Sequence, residues 1–132
     1  MTYGVGDASF RAAGGIEGIA ALVDRFYAIM DTQPRARTIR DMHPEDLGRS
    51  RDKLARFLCG WLGGPRRYQA RYGPIRIPAV HARFAIGEAE RDAWLWCMQR
   101  AVAEQSYAED FKAYLLQQLA IPAERIVQAC RG

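Results

Sequence analysis

The stretch Gly14-Gly15-Ile16-Glu17-Gly18-Ile19-Ala20-Ala21-Leu22-Val23-Asp24-Arg25-Phe26-Tyr27-Ala28-Ile29-Met30 decides the fold class. Its apolar residues Ile19, Leu22, Val23, Phe26, Tyr27 and Met30 fall at offsets 0, 3, 4, 7, 8 and 11, the period of one buried helical face. Gly14-Gly15 breaks any earlier turn, so a short helix over about residues 8–13 should meet this one at a sharp corner. Pro34 stops the helix and can open a short third one over 34–40.

Further along, Asp46 is positioned as an N-cap, and Leu47, Ser50, Leu54, Phe57, Leu58 and Trp61 form the inward stripe of a longer helix. Gly63-Gly64-Pro65 ends it. Residues 66–83 hold Gly73-Pro74 and Pro78, which predicts irregular chain with short helical turns at most. A helix resumes over 88–105, with Ala93, Trp94, Cys97, Met98, Ala101 and Val102 on one side and Trp96 roughly opposite. The last helix starts near Ala108, should bury Phe111, Leu115, Leu119 and Ile126, and should kink at Pro122. No segment reads as a strand, so the expectation is one all-α domain over residues 1–132.

The chain has 132 residues, 49% of them hydrophobic and 26% charged, which excludes a disordered or fibrous protein. No apolar run approaches the roughly 20 residues of a membrane span, and residues 1–15 lack the pattern of a signal peptide. A cytoplasmic location without membrane attachment is expected. The net charge of +4 comes mostly from arginines interleaved with Asp and Glu, as in Glu90-Arg91-Asp92, so no basic stripe for nucleic acid is visible. Cys59, Cys97 and Cys130 are too few and too far apart for a disulfide framework or a zinc site.

Few residues can carry chemistry. His43 and His81 are the two histidines. His81, between Val80 and Phe84, reads on its own as a structural histidine; were it to bind iron, a macrocycle would have to supply the equatorial ligands. Tyr27 and Trp94 each carry a polar tip on an apolar stripe, and each could either bond a backbone carbonyl or donate into a ligand pocket. Ser9, Ser50 and Ser106 lie in no nucleophile-elbow context, and no glycine-rich phosphate loop is present.

Taken together, these residues resemble a family. Gly14-Gly15 with Leu22-Val23-Asp24-Arg25-Phe26-Tyr27, His43-Pro44-Glu45-Asp46-Leu47, Phe57-Leu58, Leu62-Gly63-Gly64-Pro65 with Tyr68, His81-Ala82-Arg83-Phe84, and Glu90-Arg91-Asp92-Ala93-Trp94-Leu95 with Cys97-Met98 follow a known order. The chain is similar over about residues 12–120 to the group II truncated haemoglobins, bacterial two-over-two helical globins. Each string is weak singly; their order and spacing are specific.

The resemblance implies an all-α truncated-globin fold, a two-over-two helical sandwich around haem b (iron protoporphyrin IX). It makes His81 the proximal ligand of a five-coordinate iron, with Tyr27, His43 and Trp94 on the distal side. Ser50 falls where many globins keep a distal histidine, and Phe26, Leu54, Phe57, Leu58, Phe84 and Met98 are the apolar residues expected near the haem. The family's usual Gly-His-Pro-Arg-Leu-Arg string is replaced by Gly73-Pro74-Ile75-Arg76-Ile77-Pro78, and Val80 stands where a basic residue usually precedes the histidine. Lys53, Tyr68 and Arg76 are then the candidates for the propionates. The implied ligands are dioxygen, nitric oxide and carbon monoxide, in a monomer or homodimer. A peroxidase or nitric oxide dioxygenase served by a reductase would use the same residues, and a haem-free helical interaction domain is the third reading.

Overall fold

The computed structural model describes residues 2–75 and 86–131. Seven α-helices occur among them, and no strand: α1 (Ala8–Ala12), α2 (Gly15–Thr32), α3 (Arg37–Asp41), α4 (Gly48–Trp61), α5 (Arg67–Tyr72), α6 (Glu88–Ala103) and α7 (Glu109–Arg131). A 3-10 turn over Pro34–Ala36 precedes α3.

The corner between α1 and α2 is turned by Gly14, at φ 85°, a left-handed conformation that costs a glycine nothing. At the other end Gln33 is extended, as a residue ahead of proline must be, and Pro34 opens the 3-10 turn. The third helix is therefore two pieces, a 3-10 turn running into α3. Helix α4 starts at Gly48, two residues beyond Asp46, whose Oδ1 still accepts the Gly48 N–H at 2.8 Å. The cap is built from one position further out than the sequence pattern places it.

After α4, Gly63 takes φ 93° and passes close to the N-terminal segment; a Cβ there would lie 2.0 Å from the Gly6 carbonyl oxygen. Only glycine fits that crossing. The stretch expected to be irregular contains the six-residue α5, ended by Gly73 at φ 83°. Pro78 and the rest of 76–85 lie outside the described residues.

Helix α2 packs against both α4 and α6, and α6 packs against α7, giving two helix pairs joined through α2 and α6. Ile19, Leu22, Val23, Phe26 and Met30 of α2 meet Leu58 of α4 and Met98 and Val102 of α6 in one continuous core. Each large side chain so buried contributes about 1.5–3 kcal/mol. Helix α7 continues through Pro122 and buries Phe111, Leu115, Leu119, Ala123 and Val127. The expectation for Ile126 is corrected: it is only partly buried, because the stripe keeps a step of four residues and passes to Val127. No described helix is long and apolar enough to cross a membrane.

Candidate functional site

The meeting of α2 and α6 places the polar rings. Tyr27 is 5% exposed, and its ring stands edge-on to Phe26 at 5.0 Å and to the His43 imidazole at 5.8 Å. Phe26, fully buried, also meets the Trp94 indole edge-on at 5.1 Å. Tyr27 of α2 and Trp94 of α6 thus meet through one phenylalanine, and His43, in the loop after α3, joins through Tyr27.

Neither the Tyr27 hydroxyl nor the Trp94 indole nitrogen hydrogen-bonds to a described residue. Tyr27 is buried and Trp94 half-buried, and the polar tips of such rings are normally paired. Burial raises the Tyr27 pKa well above that of an ordinary phenol, against an opposing pull from the Arg51 charge. The phenol therefore stays protonated and is a donor. Trp94 can only donate.

His43 is held differently. Its Nδ1 lies 2.8 Å from the Ile39 carbonyl oxygen. A carbonyl only accepts, so Nδ1 carries the proton, and in the neutral ring Nε2 is an acceptor. His43 can thus donate from Nε2 only when protonated.

Among the apolar residues nominated from sequence, Phe26, Leu58 and Met98 belong wholly to the core, whereas Leu54 and Phe57 are half-buried against it. Ser50 is also half-buried on α4. Phe57 stacks on Trp61 at 6.1 Å. Two donors, Tyr27 and Trp94, without a hydrogen bond to a described residue, in a core flanked by half-buried Leu54, Phe57 and Trp61, fit an apolar macrocycle carrying a small polar ligand.

A second group centres on Tyr72. The Lys53 ammonium lies 5.3 Å from its ring centre, the Arg71 and Arg49 guanidiniums lie at 5.6 and 5.8 Å, and the Tyr68 ring is at 5.1 Å. The Tyr72 hydroxyl donates to Asp52, which also accepts from Arg56. That Tyr72 bond, with help from Arg56 and Arg71, holds the Asp52 carboxyl below the usual range. One carboxylate among four cations leaves this edge positive, as carboxylate-bearing ligands require.

His81, Phe84 and Arg76 lie outside the described residues. Sequence reasoning missed Tyr72 and Arg51. Tyr72 was signalled by its four-residue spacing from Tyr68, hidden by reading 66–83 as irregular. Arg51 gave no signal; its Nε, buried and without a hydrogen bond, lies 3.9 Å from Asp24.

The bacterial-like globin family model matches residues 8–126. The chain is 31% identical over 113 residues to the group 2 truncated hemoglobin YjbI of Bacillus subtilis (strain 168), covering 86% of this chain and 83% of that protein. Among solved structures it is similar to the group II 2-on-2 hemoglobin of the plant pathogen Agrobacterium tumefaciens, at 36% identity and TM-score 0.85, covering 89% and 92% of the two chains. It is likewise similar to the truncated oxygen-avid haemoglobin of Bacillus subtilis, at 31% identity and TM-score 0.83, covering 91% and 98%. The chain belongs to the bacterial-like globins, in their group II truncated haemoglobin branch. Membership implies a haem and the binding of small ligands to it.

Proposed function

We propose that this chain is a b-type haem protein that binds dioxygen tightly and releases it slowly, with His81 as proximal ligand and Tyr27 and Trp94 as distal donors. The observation that carries this reading is the Tyr27 hydroxyl, on a side chain only 5% exposed, without a hydrogen bond to any described residue. An oxygen-avid relative with the same fold supports it.

Haem, when bound, supplies a ferrous iron that accepts a diatomic gas and shifts negative charge onto it. The work of the chain is to meet that charge. Tyr27 donates its hydroxyl proton, kept in place by burial, and Trp94 donates from its indole nitrogen. Phe26 packs against both rings and limits their movement. His43, with its proton on Nδ1, contributes its ring to the wall beside Tyr27. Such a pocket suits slow-release binding or chemistry on dioxygen and nitric oxide better than bulk transport, and the cytoplasm is the compartment this reading assigns. Purified protein should show a Soret band that shifts with carbon monoxide, and its dioxygen complex should persist on mixing with a scavenger. Absence of the band and of bound iron would leave the haem-free interaction domain as the reading.

The positive edge around Tyr72 is assigned to the propionates, with Lys53 and Tyr68 there and Arg76 joining from the segment before His81. Replacing Lys53 and Arg76 together with alanine should speed haem transfer to an acceptor several-fold while leaving dioxygen dissociation nearly unchanged. Transfer at the parent's rate would assign the propionates to other groups.

A further inference from the structure

Arg40 lies in the last turn of α3 and is only 17% exposed along its side chain. Its guanidinium reaches in three directions: Nε to the Asp31 carboxylate at 2.7 Å, Nη1 to the Pro44 carbonyl at 3.0 Å, and Nη2 to the Glu45 carbonyl at 2.9 Å. One side chain therefore ties the last turn of α2 to the loop that follows His43. The backbone carbonyl of Arg40 also accepts the His43 N–H at 3.0 Å. Arg40 thus bonds His43 and each of the two residues after it, while the imidazole is bonded to the Ile39 carbonyl four residues before His43.

The His43 ring borders two surroundings of different character among the described residues. One is Tyr27, in the buried cluster. The other is a groove of about 670 Å³, open to the surface and lined by Met30, Asp31, Arg37, Arg40 and His43 but not by Tyr27. His43 thus borders both the groove and the ring cluster, and Arg40 holds the loop that carries it.

We propose that Arg40 is a positioning residue for His43, clamping the loop over 42–47 so that the imidazole gates the passage of diatomic ligands between this groove and the distal site. The gating half of this statement rests on the haem-protein reading above. The clamp itself rests on the three guanidinium bonds alone. Charge-assisted bonds of this kind, several on one planar group, are what give an arginine geometric control over a loop.

The test compares the parent with Arg40→Ala, Arg40→Lys, Asp31→Asn and, as a control, Arg37→Ala. Arg37 lines the same groove and pairs with Asp41 but makes no hydrogen bond to the 42–47 loop. Two-bond proton–nitrogen NMR of the imidazoles, on the ferrous carbon monoxide form, reads the His43 tautomer directly. The parent and Arg37→Ala should show a single neutral form protonated at Nδ1. Arg40→Ala should show mixed tautomers, and flash photolysis should show carbon monoxide association at least about threefold faster, as for an opened gate. Arg40→Lys keeps the Asp31 pair but cannot span both carbonyls, so it should fall between.

An unchanged His43 signal with unchanged association in Arg40→Ala overturns the proposal, as does an equal effect from Arg37→Ala. Should Arg40→Ala fail to fold, Asp31→Asn decides: a parent-like His43 spectrum and rate in that variant overturns the clamp. If the protein proves to hold no haem, the functional reading fails and the gate fails with it, while the imidazole spectrum of the protein as purified still decides whether Arg40 positions His43.

Discussion

His81→Ala is expected to abolish haem retention: the purified variant should contain little iron and show no Soret band. The size of the effect follows from the absence of a substitute. The one other histidine, His43, donates its Nδ1 proton to Ile39 and packs against Tyr27, on the side assigned to the distal donors. Neither Cys59 nor Cys97 can step in, since both are buried in the core and burial pushes the Cys97 thiol up to about 11, far from the thiolate a metal needs. No cluster of metal-ligating side chains occurs among the described residues. The core of α2, α4, α6 and α7 is built by described residues packing on one another, and the variant is expected to retain its helical circular dichroism. His43→Ala should keep its haem. Full iron stoichiometry and an unaltered ferrous spectrum in His81→Ala would remove the ligand assignment.

The second large effect concerns dioxygen release. Removing one donor, by Tyr27→Phe or Trp94→Phe, should raise the dioxygen dissociation rate about ten- to a hundredfold, since a hydrogen bond to a charged acceptor is worth about 1.5–3 kcal/mol and each 1.4 kcal/mol is a decade in rate. Carbon monoxide, with little charge on its oxygen, should respond far less. The double variant should fall short of the product of the two single effects, because both donors serve one acceptor. The two substitutions should separate in stability. Tyr27→Phe removes a hydroxyl that bonds no described residue and keeps the ring contacts with Phe26 and His43, so thermal stability should hold or rise. Trp94→Phe shortens a ring packed on Phe26 and should lower it. The raised Tyr27 pKa also fixes the pH dependence. The neutral phenol is the donor, and its ionisation lies above the ordinary phenol range, so the gap between parent and Tyr27→Phe should stay constant through neutral and mildly alkaline pH. Stopped-flow dissociation of both gases tests all of this, and equal acceleration for the two would reduce Tyr27 and Trp94 to shaping the pocket.

Much of this was legible in the chain because periodicity and punctuation agree. The apolar offsets over Ile19–Met30, the stop at Pro34 and the breaks at Gly14-Gly15 and Gly63-Gly64-Pro65 each have one local cause, and each corresponds to an element end in the structure. Where the sequence misled, two signals competed. Asp46 carries capping chemistry from two positions ahead of Gly48, and Ile126 looks as apolar as Val127 until the four-residue step of α7 chooses between them. Of the site, Tyr27 and Trp94 could be nominated because a polar tip on an apolar stripe is visible in sequence. Their approach through Phe26 could not, for it depends on how α2 crosses α6. Arg40 and Tyr72 were illegible for the same reason, since their partners on other segments are chosen by the packing of helices and loops rather than by spacing along the chain.

Phe26 belongs at once to the core and to the ring cluster, touching Tyr27 on its own helix and Trp94 on the next. With Tyr27 and Trp94 as the donors proposed above, gas affinity and thermal endurance become linked traits in this chain. A lineage adapting to cold or heat by resizing that one ring would retune how long it holds its ligand without altering a donor, and a lineage selected for faster release could reach it through the core, at a cost in melting temperature.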